Sequence, residues 1–213
     1  MARVWIFGQD INTDQIVPGR YAPYMLKQED DLRKYPFVEH RPDFASGVRP
    51  GDLLVAGNNF GCGSSREYAP LALRMVGVGA IVAPLFARIF FRNALNLGIP
   101  CFTADLTGQL RDGQEVELSL EHGSLLTDDG RSIQLPPPPA FLREVWAAGG
   151  IVPFYRTHGR FPGEGVTGRQ GDRETGRQGD RETGRQGDRE TGRQGDRETG
   201  RQGDRETGRQ GDT

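Results

Sequence analysis

The chain has 213 residues, 27 basic and 29 acidic side chains, a formal net charge of −2 and only two cysteines. It has no basic excess to steer it to nucleic acid, no window near the roughly 18 apolar residues that span a bilayer, and its opening MARVWIFGQD lacks the build of a secretory signal. A cytoplasmic protein with no nucleic-acid or membrane partner is expected. Cys62 and Cys101 are too few and too far apart in sequence for a zinc or iron–sulfur ligand set. The chain is therefore expected to hold no metal of its own.

RVWIFG, Arg3 to Gly8, is β-branched and aromatic and predicts a strand. The polar stretch QDINTDQIVPGRYAPYM predicts a long loop anchored by Ile11, Ile16 and Val17. DDLRKYPFVEHRPDFASGV gives short helical pieces broken by Pro36 and Pro42. GDLLVAG, Gly51 to Gly57, is a second strand whose unbroken apolar run implies burial on both faces. A helix over Ser65 to Val76, a strand over Gly79 to Ala83, a helix over Leu85 to Gly98 and a strand in IPCFTA follow. That alternation implies a parallel unit with crossover helices. The next segment, QEVELSLEHGSLLTDDGRSIQL, alternates polar and apolar residues around hairpin signals. A last helix is expected over Ala140 to Ala148, ended by Gly149 and Gly150. The fold class is α/β, with a mixed, partly parallel sheet and a hairpin layer, over residues 1–166.

From Thr167 the unit TGRQGDRE recurs five times and ends in TGRQGDT. It has no apolar side chain, so stacked copies bury nothing, and residues 167–213 are expected to be a disordered tail. The tail holds 11 Arg and 11 acidic residues, leaving 16 basic and 18 acidic groups in residues 1–166.

Chemistry concentrates in NNFGCGSSREYAPLALR, Asn58 to Arg74. Ser64 and Glu67 have the spacing of a capping box, which alone would explain the serine. Gly57, Gly61 and Gly63 permit backbone angles that aim successive N–H groups into one concavity, and a helix N-terminus adds its dipole. Such a place holds an anion. The planar fork of Arg66 suits a carboxylate, and the Gly-Lys-Ser/Thr of a phosphate loop is absent. The same donors would favour ionised Ser64, so cap and base share one geometry and both readings stand. The run is not a serine-hydrolase elbow, and His40, His122 and His158 lie far from it in sequence.

FGQDINTDQIVPGRY, GDLLVAGNNFGCGSSREYAPLALR and ARIFFRNALNLGIP resemble the small subunits of 3-isopropylmalate dehydratase and homoaconitase, counterparts of the swivelling β/β/α domain of aconitase. The resemblance covers nearly all of residues 1–160. It implies a hydro-lyase that isomerises a 2-hydroxy di- or tricarboxylate by losing and re-adding water, in leucine biosynthesis or in lysine biosynthesis through aminoadipate. It implies a large partner subunit holding a four-iron four-sulfur cluster, whose open iron acts as the Lewis acid. By the same resemblance Ser64 matches the base, Ser65 and Arg66 the holders of a substrate carboxylate, and Asp14 an aspartate that orients basic groups. Val17 departs from aconitase, which has a serine there. Tyr21 opens the segment implied to select the substrate, YAPYM, which looks more like homoaconitase, and Arg20, one residue upstream, would suit a distal carboxylate. The rival reading is a non-catalytic, carboxylate-binding regulatory module.

Overall fold

The computed structural model describes residues 1–25 and 29–164. The expected repeat tail lies outside the described residues. The first strand forms as β1 (Ala2–Ile6), and the anticipated loop after it contains a single helical turn, α1 (Thr13–Ile16). Ile11, Ile16 and Val17 are buried, as their apolar character requires. Two short 3-10 turns, Gly19–Tyr21 and Pro23–Met25, lead to a third at Glu29–Lys34 and then to α2 (Asp43–Gly47).

β2 (Leu53–Val55), α3 (Tyr68–Met75), β3 (Ala80–Ala83), α4 (Arg88–Asn96) and β4 (Cys101–Thr103) form the parallel unit. β1 pairs in parallel with β2, β2 with β3 and β3 with β4. β5 (Glu115–Ser119), β6 (Ser124–Thr127) and β7 (Ser132–Gln134) are antiparallel to one another. They do not form a separate layer. β5 pairs antiparallel with the free edge of β1, placing Ala2 opposite Val116, and one sheet runs β4-β3-β2-β1-β5-β6-β7.

Period-two alternation divides the core. Leu54 and Ile81 join Trp5, Phe44 and Leu73 on one side, whereas Leu53, Val55 and Val82 join Val4, Phe102 and Trp146 on the other. Burial of β2 on both faces explains its continuous apolar run. Phe90 of α4 packs edge-on against Phe60 at 5.2 Å, and burying such a ring contributes roughly 1.5–3 kcal/mol.

α5 (Ala140–Ala147) ends near Gly149 as expected, but it is not the last helix. α6 (Ile151–His158) follows at once with Gly150 as its N-cap. Gly150 has φ +128°, and a Cβ there would stand 2.4 Å from the Asn96 carbonyl oxygen, so the pair of glycines seats the chain on the end of α4 instead of terminating the fold. Met1–Gly163 form one compact unit.

Candidate active site

The candidate residues gather beyond the carboxyl ends of the parallel strands, where open α/β sheets bind ligands. Two loops continue the β1–β2 pairing there. Asp10 N–H donates to the Asn58 carbonyl (2.8 Å), Gly61 N–H to that of Ile11 (2.7 Å) and Thr13 N–H to that of Cys62 (2.9 Å). Phe60 extends the same pattern toward β3, donating to Leu85 and accepting from Ala87 (both 2.9 Å).

Gly61 makes this layering possible. Its φ is +78°, and a Cβ would stand 2.1 Å from the Phe90 ring. Gly57 and Gly61 therefore serve close approach, not the N–H concavity expected of them, because Gly57 N–H is bound by the Gly8 carbonyl and Gly61 N–H by that of Ile11.

The helix expected from Ser65 begins at Tyr68, with Glu67 as N-cap and no side-chain capping bond. The Ser64–Glu67 capping box does not form. The reason is a competing partner: Ser64 N–H donates to Thr13 Oγ1 at 3.2 Å, and Gly63 turns the backbone through φ +99°. The box forms instead on α1, where the Asn12 side chain accepts from Gln15 N–H and Gln15 Oε1 accepts from Asn12 N–H, both at 2.8 Å. The Asn-x-x-Gln spacing carried that signal within a stretch that reads as a turn.

With the helix starting at Tyr68, its dipole end stands past Arg66 and contributes less at Ser64 than expected. What remains at the serines is open. Ser64 and Ser65 are both exposed, and the N–H groups of Gly63, Ser65 and Arg66 meet no protein acceptor among the described residues. Ser64 Oγ lies 3.5 Å from the buried hydroxyl of Thr13, at the long limit of hydrogen bonding. Thr13 is the residue that the sequence reading passed over.

Arg66 Nη1 donates to Asp14 Oδ1, and this bond is the main cause holding the guanidinium pKa above its usual value. Gly19 lies against the pair: a Cβ there would be 3.4 Å from Arg66 Nη1 and 3.6 Å from Asp14 Oδ1. Below Arg66, burial pushes the Tyr68 phenol up, and its hydroxyl finds no partner at hydrogen-bonding geometry among the described residues. Gly19 brings Arg20 and Tyr21 to the rim. The Arg20 guanidinium, however, is turned onto the Tyr21 ring (4.9 Å) and pairs with Glu39. Tyr21 stacks on Tyr35 at 4.1 Å, while Tyr24 and Met25 project to solvent.

Among the described residues, no group of three or more His, Cys, Asp and Glu is gathered to hold a metal ion. Cys101 is buried with its thiol pKa pushed up, and the Cys62 thiol, also raised by burial, donates to the Asp10 carbonyl at 3.6 Å. These cysteines do not fit an iron–sulfur cluster. Nor is any helix among the described residues long and apolar enough to cross a membrane.

The Aconitase C-terminal domain family matches residues 12–104, which hold every candidate residue. Over 164 residues the chain is 55% identical to 3-isopropylmalate dehydratase small subunit 1 of Deinococcus radiodurans, covering 77% of this chain and 92% of that one. The chain belongs to the family of 3-isopropylmalate dehydratase and homoaconitase small subunits. The homoaconitase small subunit of Thermus thermophilus is similarly near, 54% identical over 165 residues that span 77% of this chain and all of the relative. A crystal structure of 3-isopropylmalate dehydratase from Methanocaldococcus jannaschii superposes with a TM-score of 0.67 at 36% identity, covering 73% of this chain and 92% of that one. The protein is thus a hydro-lyase small subunit of the aconitase superfamily, with the mixed seven-stranded sheet of its family.

Proposed function

We propose that this chain completes the active site of a hydro-lyase by docking onto a large, cluster-bearing subunit in the cytoplasm. Ser64 Oγ, ionised, takes the proton from the carbon next to a substrate carboxylate. The released electron pair forms the alkene as the neighbouring hydroxyl, taking up a solvent proton, departs as water; on rehydration the hydroxyl adds to the carbon that lost the proton, Ser64 returns its proton to the carbon that lost the hydroxyl, and the solvent proton is released. The cluster belongs to the partner chain and supplies a Lewis acid for the hydroxyl. Ser65 and Arg66, with the open N–H groups between Gly63 and Arg66, hold the carboxylate, and Asp14 orients the guanidinium. Thr13 holds Ser64 in place through the Ser64 amide.

The observation that supports this reading is the Asp14–Arg66 pair beside two exposed hydroxyls, with Ser64 tied by Thr13 to the same loop as Asp14. Arg20 favours a substrate with a distal carboxylate, hence the homoaconitase reaction over the isopropylmalate one. Because its pair with Glu39 is exposed, a substrate carboxylate can displace Glu39 at small cost.

The test is reconstitution with candidate large subunits and assays on 3-isopropylmalate and homocitrate. The isolated chain should be inactive. Ser64→Ala should lower kcat by about 10²–10⁴-fold with KM little changed. Wild-type turnover in that variant would remove Ser64 from the chemistry. Carboxylate binding without turnover in any reconstituted complex would favour the regulatory module.

A further inference from the structure

The exposed face of α4 breaks a local electrostatic rule. Arg88 is the first residue of the helix, where the peptide dipoles present positive charge, and no acidic residue occupies that first turn. Arg92 lies one turn on, so two like charges share a face. Both are exposed, and among the described residues neither has an ion pair or a hydrogen bond. The helix sequence RIFFRNALN contains no acid at all. Ile89 (48% exposed) and Leu85 (56% exposed), just before the helix, add apolar surface to the same side. Nothing in the folding of this chain explains that combination, since an acid at position 88 would suit the helix better.

The face is continuous with the candidate active site. Leu85 and Ala87 are held by backbone bonds to Phe60, in the segment that leads to Ser64. Glu67, three residues after Ser64, lines a cavity of about 130 Å³ with Asn93 and Asn96 of α4. The serine segment and α4 thus form one rim.

We infer that Arg88, Arg92, Ile89 and Leu85 form the part of that rim which seats an acidic, apolar-centred patch on the large subunit. The inference rests on the functional reading above, because a site with a base and carboxylate holders but no cluster requires a partner over this rim. Unpaired arginines flanking exposed aliphatic groups match the composition of protein interfaces, and an acidic partner relieves both the dipole conflict and the mutual repulsion.

The experiment uses the full chain and the candidate large subunit that binds it most tightly, with turnover assayed separately. Arg88→Glu with Arg92→Glu should weaken association, measured by calorimetry, by at least about tenfold and flatten its salt dependence. The melting temperature should stay level or rise, because glutamate suits the first helical turn. Arg143→Glu on α5 should leave the affinity unchanged. Unaltered affinity in the double variant overturns the inference, as does self-association of the wild-type chain that the variant abolishes while partner binding persists, since the occupant is then a second copy. If the double variant melts lower, Arg88→Gln with Arg92→Gln becomes the deciding pair, and wild-type affinity there is equally fatal. Binding without turnover in the wild type would sink the functional reading alone.

Discussion

The two edges of the parallel half of the sheet are made from the same strands but treat their hydrogen-bonding groups in opposite ways. At the amino edge, Asp52 stands just ahead of β2, buried, and accepts from Arg3 N–H (3.0 Å), Trp5 Nε1–H (2.8 Å) and Arg49 N–H (2.9 Å). Burial alone would raise the Asp52 pKa, but these bonds, with the Arg3 charge, hold it below the usual carboxylate value. Neighbouring amides are matched too, with Gly51 donating to Gly77 and Gly79 to Asp52, both at 2.8 Å. At the carboxyl edge, the Ser65 hydroxyl and the amides of Gly63, Ser65 and Arg66 meet no partner among the described residues, and the Ser64 hydroxyl has only the 3.5 Å contact with Thr13. Closure at one end supplies the rigidity that lets the other end keep donors ready for a ligand.

After the Ser64→Ala loss, the sharpest probe of that contrast is Asp52→Asn, which turns an acceptor into a donor facing buried donors. It should cost about 2–3 kcal/mol in urea unfolding at neutral pH, with turnover of the folded complex unchanged. The Asp52 pKa is depressed by folding, so its stabilisation is complete above the unfolded-state pKa and fades as pH falls through the folded one. The gap between wild type and variant should therefore narrow below about pH 4. A gap that stays constant there would show that shape, not charge, holds the edge.

Thr13→Val tests the open edge. It removes the acceptor of Ser64 N–H while keeping the side-chain volume, and kcat should fall roughly three- to tenfold with a smaller change in KM. An equal fall in thermal stability and no kinetic change would assign Thr13 to the core alone. The smallest effect belongs to the hairpins. Gly130 has φ +81° and open space around its missing Cβ, so Gly130→Ala should cost about 1 kcal/mol of strain and leave turnover untouched.

The strands were legible because each apolar run had one dominant environment, as in GDLLVAG with both faces covered. The serine segment was legible as a gathering of polar groups but misplaced as structure. Ser64 and Glu67 satisfy a local spacing rule, yet Thr13, distant in sequence, captures the Ser64 amide and delays the helix to Tyr68. Gly149 and Gly150 read as a stop because glycine is common just past the end of a helix, whereas contact with the end of α4 makes Gly150 the start of α6. The pairing of Arg20 with Glu39 left no trace in either local sequence, since it depends on how two loops are laid together.

The ladder that runs on past β1 and β2 to Asn12 and Cys62 makes the spacing of Asp14 and Ser64 a matter of strand register. One residue inserted between Phe7 and Asn12 would slide Asp14 along the segment of Ser64 by about 3.3 Å, more than a hydrogen bond tolerates. Length changes are thus disfavoured where the two halves are zipped together, whereas the turns beyond Pro18 lie outside that ladder.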